Sequence, residues 1–400
     1  MGKRTHDQVT VSVNGEDGPS SKKIKATDSA PVTKPTNGSA PATITKDEAD
    51  LYDRQIRLWG LEAQQRMRQS RILVAGVTGT SNEILKNLVL SGVGALTIQE
   101  SESVEEEDLG AQFFLREEDV GENRAEAVAP RAQALNPRVH VKAITTPLAN
   151  VPDSFFTEFD IVCLCNATLS QLKRADKICR KNGVKFYAAD TNGITGFIFC
   201  DLREHNYVEE RKTTQKDETT ITRLEKSITF PSLEEALSID WATSDLQKLK
   251  KKELKHFRAR ADPVFFAFNA LWQFRERFQR PPRADDAADV KGFITVAREG
   301  MERVHCDPAF LEEDFLKSFI AQTGSEISPV CAIIGGFAAQ DILKVLSGKD
   351  APIDNFFCFD GELFKGKMIR VAASAAEVPV GKAAGESATT GGEEVFELLD

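Results

Sequence analysis

Reactive side chains are few and scattered in this chain of 400 residues. The seven cysteines are Cys163, Cys165, Cys179, Cys200, Cys306, Cys331 and Cys358. They form no CxxC pair, their number is odd, and the N-terminus lacks the apolar stretch of a secretion signal. The pattern reads as a reduced intracellular protein without a disulfide framework or a structural zinc site. Cys163, Cys165, Cys331 and Cys358 lie in apolar segments and read as packing residues. His6, His140, His205, His256 and His305 show no HxH or HxxxH spacing for a metal. Neither a GxSxG elbow nor a GxxxxGK[ST] loop occurs. What remains is one turn, Gly76-Val77-Thr78-Gly79-Thr80-Ser81. A nucleotide turn uses several glycines, so that the chain bends tightly and backbone N–H groups can approach phosphate. Here Thr78 and Ser81 stand where further glycines are expected, and their side chains should crowd a phosphate. Glu100, one strand later, is placed to bind a ribose hydroxyl. The turn therefore reads either as a degenerate nucleotide site or as a structural turn with no ligand.

The elements around this turn alternate. RILVAG, 71–76, suits a strand buried on both faces. A helical segment, 80–92, and a second strand, 95–100, complete a βαβ unit. A helix over 123–137 follows, which Pro130 should kink or mark as a broken first turn. Strands are expected at 139–144, 159–165, 184–190 and 196–202, with a helix over 169–183 ended by Gly183. This alternation predicts a doubly wound, Rossmann-like α/β fold. Residues 206–228 are polar and read as a mobile loop. Residues 233–280 read as a helical insertion with its own small core, carrying the basic run 248–260. That run reads as a solvated helix face, or else as a surface for an acidic partner. The α/β pattern returns with an apolar helix at 328–348 and strands at 355–361 and 366–373.

Composition sets the outer limits. Hydrophobic residues make up 41% and charged residues 28%, as in ordinary globular chains. With 61 acids against 51 bases the net charge is −10, which argues against a general nucleic-acid binder. No run of 18 apolar residues occurs, so no membrane span is expected. Residues 1–45 and 372–400 are expected to be disordered. The first tail holds Lys22, Lys23 and Lys25, either an import signal or a solvated cluster. The second is acidic and ends in EEVFELLD, which could form a short interaction helix.

Several motifs, in order, resemble one family. They are Tyr52-Asp53-Arg54-Gln55-Ile56-Arg57-Leu58-Trp59-Gly60, the 71–92 unit, Gly110-Ala111-Gln112-Phe113, Asp119 to Ala125, Pro329 to Lys344, and Asn355 to Gly361. The chain resembles the ubiquitin-like-protein activating enzymes and their bacterial relatives MoeB and ThiF. YDRQIRLWGLEAQQRMR, EDLGAQFFLR and SFFTEFD are most similar to the smaller subunits of SUMO-activating enzymes. The resemblance covers about residues 46–371. It implies a ThiF/MoeB adenylation half, made of residues 46–205 and 301–371, with residues 206–300 as a mobile loop and helical insertion. It further implies a heterodimer with a larger subunit, which carries the catalytic cysteine and binds ATP and Mg²⁺, and SUMO as the modifier. Location in the nucleus, with the cytoplasm as a second compartment, goes with that role.

Against the family's active halves this sequence departs at several points. Gly110 and Ala111 stand where an Asn and an Arg contact ATP, and Arg124 replaces a lysine. Cys165-Asn166-Ala167-Thr168 lacks the Mg²⁺-binding aspartate. The resemblance thus implies an inert pocket in this chain, with no metal, and Gly76, Gly79 and Glu100 as remnants of a nucleotide turn. The family's YxRQ arginine, here Arg54, reaches across the dimer into the partner's ATP site. A guanidinium suits charge developing on phosphate oxygens. The plainer reading pairs Arg54 with Asp50 or Asp53 on the helix surface; Arg57 is a lesser candidate for the same role. The insertion holds no cysteine, so no thioester is expected here. Other readings are the smaller subunit of a neddylation-activating enzyme, a NAD-dependent oxidoreductase, and a MoeB-like homodimer. Against these stand the insertion length, the damaged turn, and the missing Arg, Asp and CxxC pairs respectively.

Overall fold

The computed structural model describes residues 44–215, 218–243, 245–371 and 395–397. The Lys22–Lys25 cluster lies outside them. Three short helices open the described chain: α1 (Lys46–Leu51), α2 (Asp53–Trp59) and α3 (Leu61–Gln69). The first α/β units follow as β1 (Arg71–Ala75), α4 (Gly79–Leu90), β2 (Ala95–Gln99), α5 (Arg124–Leu135) and β3 (His140–Ile144). Next come α6 (Asp153–Phe156), β4 (Ile161–Leu164), α7 (Leu169–Asn182), β5 (Lys185–Asn192) and β6 (Thr195–Asp201). A ribbon of β7 (Glu204–Gln215) and β8 (Glu218–Thr229) leads to α8 (Leu233–Leu237), α9 (Lys251–Arg260) and α10 (Pro263–Phe278). The chain continues with α11 (Ala287–Arg303), α12 (Glu313–Ala321), α13 (Ser328–Ser347), β9 (Phe356–Asp360), β10 (Lys365–Ile369) and β11 (Val395–Glu397).

Nine strands form one sheet in the order β11-β10-β9-β6-β5-β4-β1-β2-β3. β3, β2, β1, β4 and β5 are parallel, as a doubly wound fold requires; the remaining strands are antiparallel. β1 lies between β2 and β4, so the crevice at its carboxyl end is the switch point where such sheets bind ligands. Alternation along β1 sends Ile72 and Val74 into one core, with α4, α5 and α13. Leu73 and Ala75 enter the opposite core, with α7, α10, α11 and α12. The sheet is therefore covered on both faces. α13 is long and apolar enough to cross a membrane by length and composition, although Gln340, Asp341 and Lys344 interrupt its apolar run. It is instead mostly buried, packed on α4 and the sheet.

Four expectations are corrected. Residues 206–228 are not an irregular loop: β7 and β8 pair antiparallel along their whole length. Cross-strand charges allow this in a polar segment, with Glu210 directly opposite Arg223 at 3.0 Å and Glu209 on Lys226. The base is held by buried His205 and Tyr207, and by Val208 N–H donating to the Gly348 carbonyl at 2.9 Å. Second, the helical insertion has no core of its own. Phe268 and Trp272 of α10 pack on Phe197 of β6 at ring distances of 4.7 and 5.0 Å, and Phe265 packs on Phe356 of β9. Third, of the two roles expected of Pro130 the broken first turn is excluded, since Pro130 lies in the interior of α5, which continues to Leu135. Fourth, Val395–Glu397 form no helix; they pair antiparallel with Lys365–Lys367. The edge of β10 offers open backbone groups that an extended segment satisfies.

Candidate functional site

The turn after β1 is shaped by its neighbours. Gly76 has φ +88°, and a Cβ there would lie 2.0 Å from the Cys165 carbonyl oxygen. Its glycine is thus required by the exit of β4, independently of any phosphate. At Gly79 a Cβ would come within 2.9 Å of Cys331 Sγ. Thr78 and Ser81 form a capping box: Ser81 N–H donates to Thr78 Oγ1 at 3.1 Å, and Thr78 N–H donates to Ser81 Oγ at 2.8 Å. The two residues expected to crowd a phosphate also satisfy the amides that a phosphate would use. Glu100 is near the turn as expected, and backbone amides engage it there. Its Oε2 accepts from Val77 N–H at 3.0 Å, and its Oε1 from the N–H groups of Ser101 and Glu102 at 2.7 and 3.1 Å. Both of its oxygens accept from backbone N–H groups.

The last feature of the turn had no signal in the sequence. Gly79 N–H, at the N-terminus of α4, donates to both carboxylate oxygens of Glu326 at 2.8 and 2.9 Å. Glu326 reaches it from the segment before α13, which is bridged to Gly193 beside β5. A helix N-terminus attracts anions, and here a carboxyl group of the chain itself takes that place. Burial pushes the Glu326 carboxyl up to about 7; the Gly79 amide opposes this, Asp190 and Asp108 add to it, and Arg124 opposes it. Asp190 is also raised, to about 6, by its burial and against the pull of Arg275.

The cationic and metal-binding positions are committed elsewhere. Arg124 Nε donates to Asp108 Oδ2 at 2.6 Å. Asn166, with φ +49°, accepts from Arg275 Nη1 at 3.3 Å. No group of His, Cys, Asp and Glu suited to a metal occurs among the described residues. All seven cysteines are free and buried; burial raises the thiols of Cys179, Cys200 and Cys358 well out of the reactive range, and Cys165 is raised by its hydrogen bond with Cys163 and then by burial. The residues at this turn do not fit a bound nucleotide with its Mg²⁺.

Arg54 stands apart from the turn. It is exposed on α2, a helix with no buried residue. Asp53, one of the two partners of the plainer reading, pairs instead with Arg57 four residues on, at 3.0 Å, which also engages the lesser candidate. Arg54 has no ion pair among the described residues. The apolar side chains of Leu51, Leu58 and Leu61 flank it in sequence and are 56%, 73% and 44% exposed. An uncovered apolar surface beside an uncommitted cation is what a protein interface uses.

The ThiF family profile matches residues 52–380, which span both parts of the sheet and the helices between them. The chain belongs to the ThiF family. Within it, the chain is 40% identical over 335 residues to the SUMO-activating enzyme subunit 1 of Homo sapiens, covering 80% of this chain and 93% of that protein. The proteins of the same name from Bos taurus and Xenopus tropicalis are 41% and 38% identical, covering 93% and 96% of their lengths. The expected ThiF fold and the expected relatives are both confirmed. This ThiF chain carries the degenerate turn and the free arginine in one polypeptide.

Proposed function

We propose that this chain is the supporting subunit of a SUMO-activating heterodimer. A larger subunit bearing the catalytic cysteine binds ATP and Mg²⁺, adenylates SUMO and forms the thioester. This chain scaffolds that half and supplies Arg54 in trans to its phosphate site. The observation that carries the reading is a contrast. The amides of Val77, Thr78, Gly79 and Ser81 all donate to side chains of this chain, whereas the Arg54 guanidinium has no ion pair among the described residues. The names of the relatives support the choice of modifier and of an activating enzyme. Arg54 would stabilise negative charge gathering on phosphate oxygens, through a planar fork that matches them. The chain's own pocket takes no part in the chemistry. We place the complex in the nucleus, with the Lys22–Lys25 cluster as the import signal.

The test is ATP–pyrophosphate exchange with SUMO and Mg²⁺, run on the purified chain and on the chain mixed with the larger subunit. Exchange is expected only in the mixture. Exchange by the chain alone, at a rate matching the mixture, would show that its own pocket works.

A further inference from the structure

Arg54 is carried by a helix with no fully buried side chain, in which Trp59, the last residue, packs partly on the core. Its anchors lie at either end. On the N-terminal side, the Glu48 carboxylate of α1 is buried between Arg68 at 3.3 Å and Arg138 at 3.4 Å. Tyr52, the residue joining α1 to α2, is 6% exposed. Its ring lies on Gly92, where a Cβ would come within 2.5 Å of the ring carbon Cζ. Its hydroxyl accepts from Asn136 Nδ2 at 2.7 Å, and the same amide donates to the Val89 carbonyl at 2.9 Å. On the C-terminal side, Trp59 Nε1 donates to Gln64 Oε1 at 3.0 Å, and Gln64 Nε2 donates to the Ser91 carbonyl at 3.1 Å. Both ends are thereby referred to one rigid landmark, the C-terminal end of α4 at 89–92.

We infer that Tyr52, seated on Gly92 and hydrogen-bonded by Asn136, is the positioning residue that aims Arg54 at the partner's phosphate site. The inference rests on the reading in which Arg54 serves that site. Arg54 lies two residues beyond Tyr52, in the first turn of α2, so the seat of the ring fixes where that turn begins. A buried hydroxyl with a fixed partner permits one seat; without it the ring can slide and the short helix can roll. A charged contact to a reacting group is sensitive to such movement, because displacements of about 1 Å can cost on the order of a hundredfold in rate. The glycine at 92 has φ +75° and leaves room for no side chain beneath the ring, so the seat is shaped for Tyr52 on both sides.

The test uses the reconstituted heterodimer with SUMO and Mg²⁺-ATP. Tyr52→Phe keeps the ring and removes the hydroxyl; Asn136→Ala removes the donor. Each is expected to lower the kcat of ATP–pyrophosphate exchange by about tenfold, with subunit affinity and transfer from preformed adenylate unchanged. In the Arg54→Ala background, Tyr52→Phe should lower kcat no further, because a positioning residue has nothing left to position. Wild-type kcat in both single variants overturns the inference, as does an equal loss with and without Arg54. Wild-type exchange by Arg54→Ala itself would sink the trans-arginine reading and, with it, this inference; that outcome is read from a different variant. A defect confined to subunit affinity would also overturn it, since Tyr52 would then be an interface residue only.

Discussion

At the scale of single residues, the chain's own nucleotide turn is closed by its own side chains. The Glu326 carboxyl is raised from 4.5 to about 7, so the folded chain retains a proton that the unfolded chain has already lost between those values. Such a group's contribution to stability is complete at low pH, falls as pH rises through that window, and levels off above about 7. Glu326→Gln keeps an oxygen for the Gly79 amide and removes the buried charge. The variant should be more stable than wild type at pH 8 by up to about 3 kcal/mol, and by little near pH 5, from the size of the shift. Urea melts of both proteins at the two pH values check this; the difference between proteins matters, because Asp190 and Asp341 are also raised, to about 6. A Gln variant equally or more destabilised at pH 8 would place the needed charge on Glu326. Glycine and hydroxyl positions of the turn were legible in the sequence; the capping box that Thr78 and Ser81 form was not. Glu326 was not, because it meets Gly79 across 247 residues of chain. The place of Glu100 beside the turn was legible, but its backbone partners were not, since a carboxylate can serve a ribose or a backbone amide equally well.

At the scale of elements, hydrophobic pattern located nearly every strand of the sheet, since buried parallel strands read as apolar runs. It misjudged elements whose partners lie far away in sequence. The insertion's helices were legible, but Phe265, Phe268 and Trp272 of α10 face Phe197 and Phe356 of the sheet and build no separate core. Phe268→Ala should therefore destabilise the whole protein by about 3–5 kcal/mol, as for a fully buried aromatic. The β7–β8 ribbon gives the opposite expectation beyond its base. Joining Glu210 to Arg223 through a two-residue turn removes only the outer pairs, so thermal stability should change little. Thermal melts of the two variants side by side test the division. A small effect of Phe268→Ala would restore the picture of an independent insertion, and a large effect of shortening would make the outer ribbon part of the core's support. Polarity alone had marked that ribbon as a loop, because cross-strand ion pairs leave no apolar alternation to read.

At the scale of the whole molecule, a ThiF fold with a self-occupied turn presents its uncommitted chemistry outward. Arg54 lies on a helix with no buried residue, among exposed leucines, and is held in place by Tyr52 and Trp59 at the helix ends. The motif around Arg54 was legible because its residues are contiguous; the contacts that hold it, at Gly92 and Asn136, were not. The central claim is that this chain acts on a phosphate site other than its own. The most direct measurement is the rate of SUMO adenylation by the reconstituted heterodimer carrying Arg54→Ala, beside Arg54→Lys and wild type. Loss of one charged contact from a desolvated site should slow adenylation by roughly 30- to 1,000-fold, about 2–4 kcal/mol. Arg54→Lys should recover only part of the rate, because an ammonium cannot fork across two oxygens. Assembly and thioester transfer from preformed adenylate should be unaffected. Wild-type adenylation by Arg54→Ala, in a complex of normal affinity, would contradict the account and leave this chain as a scaffold alone.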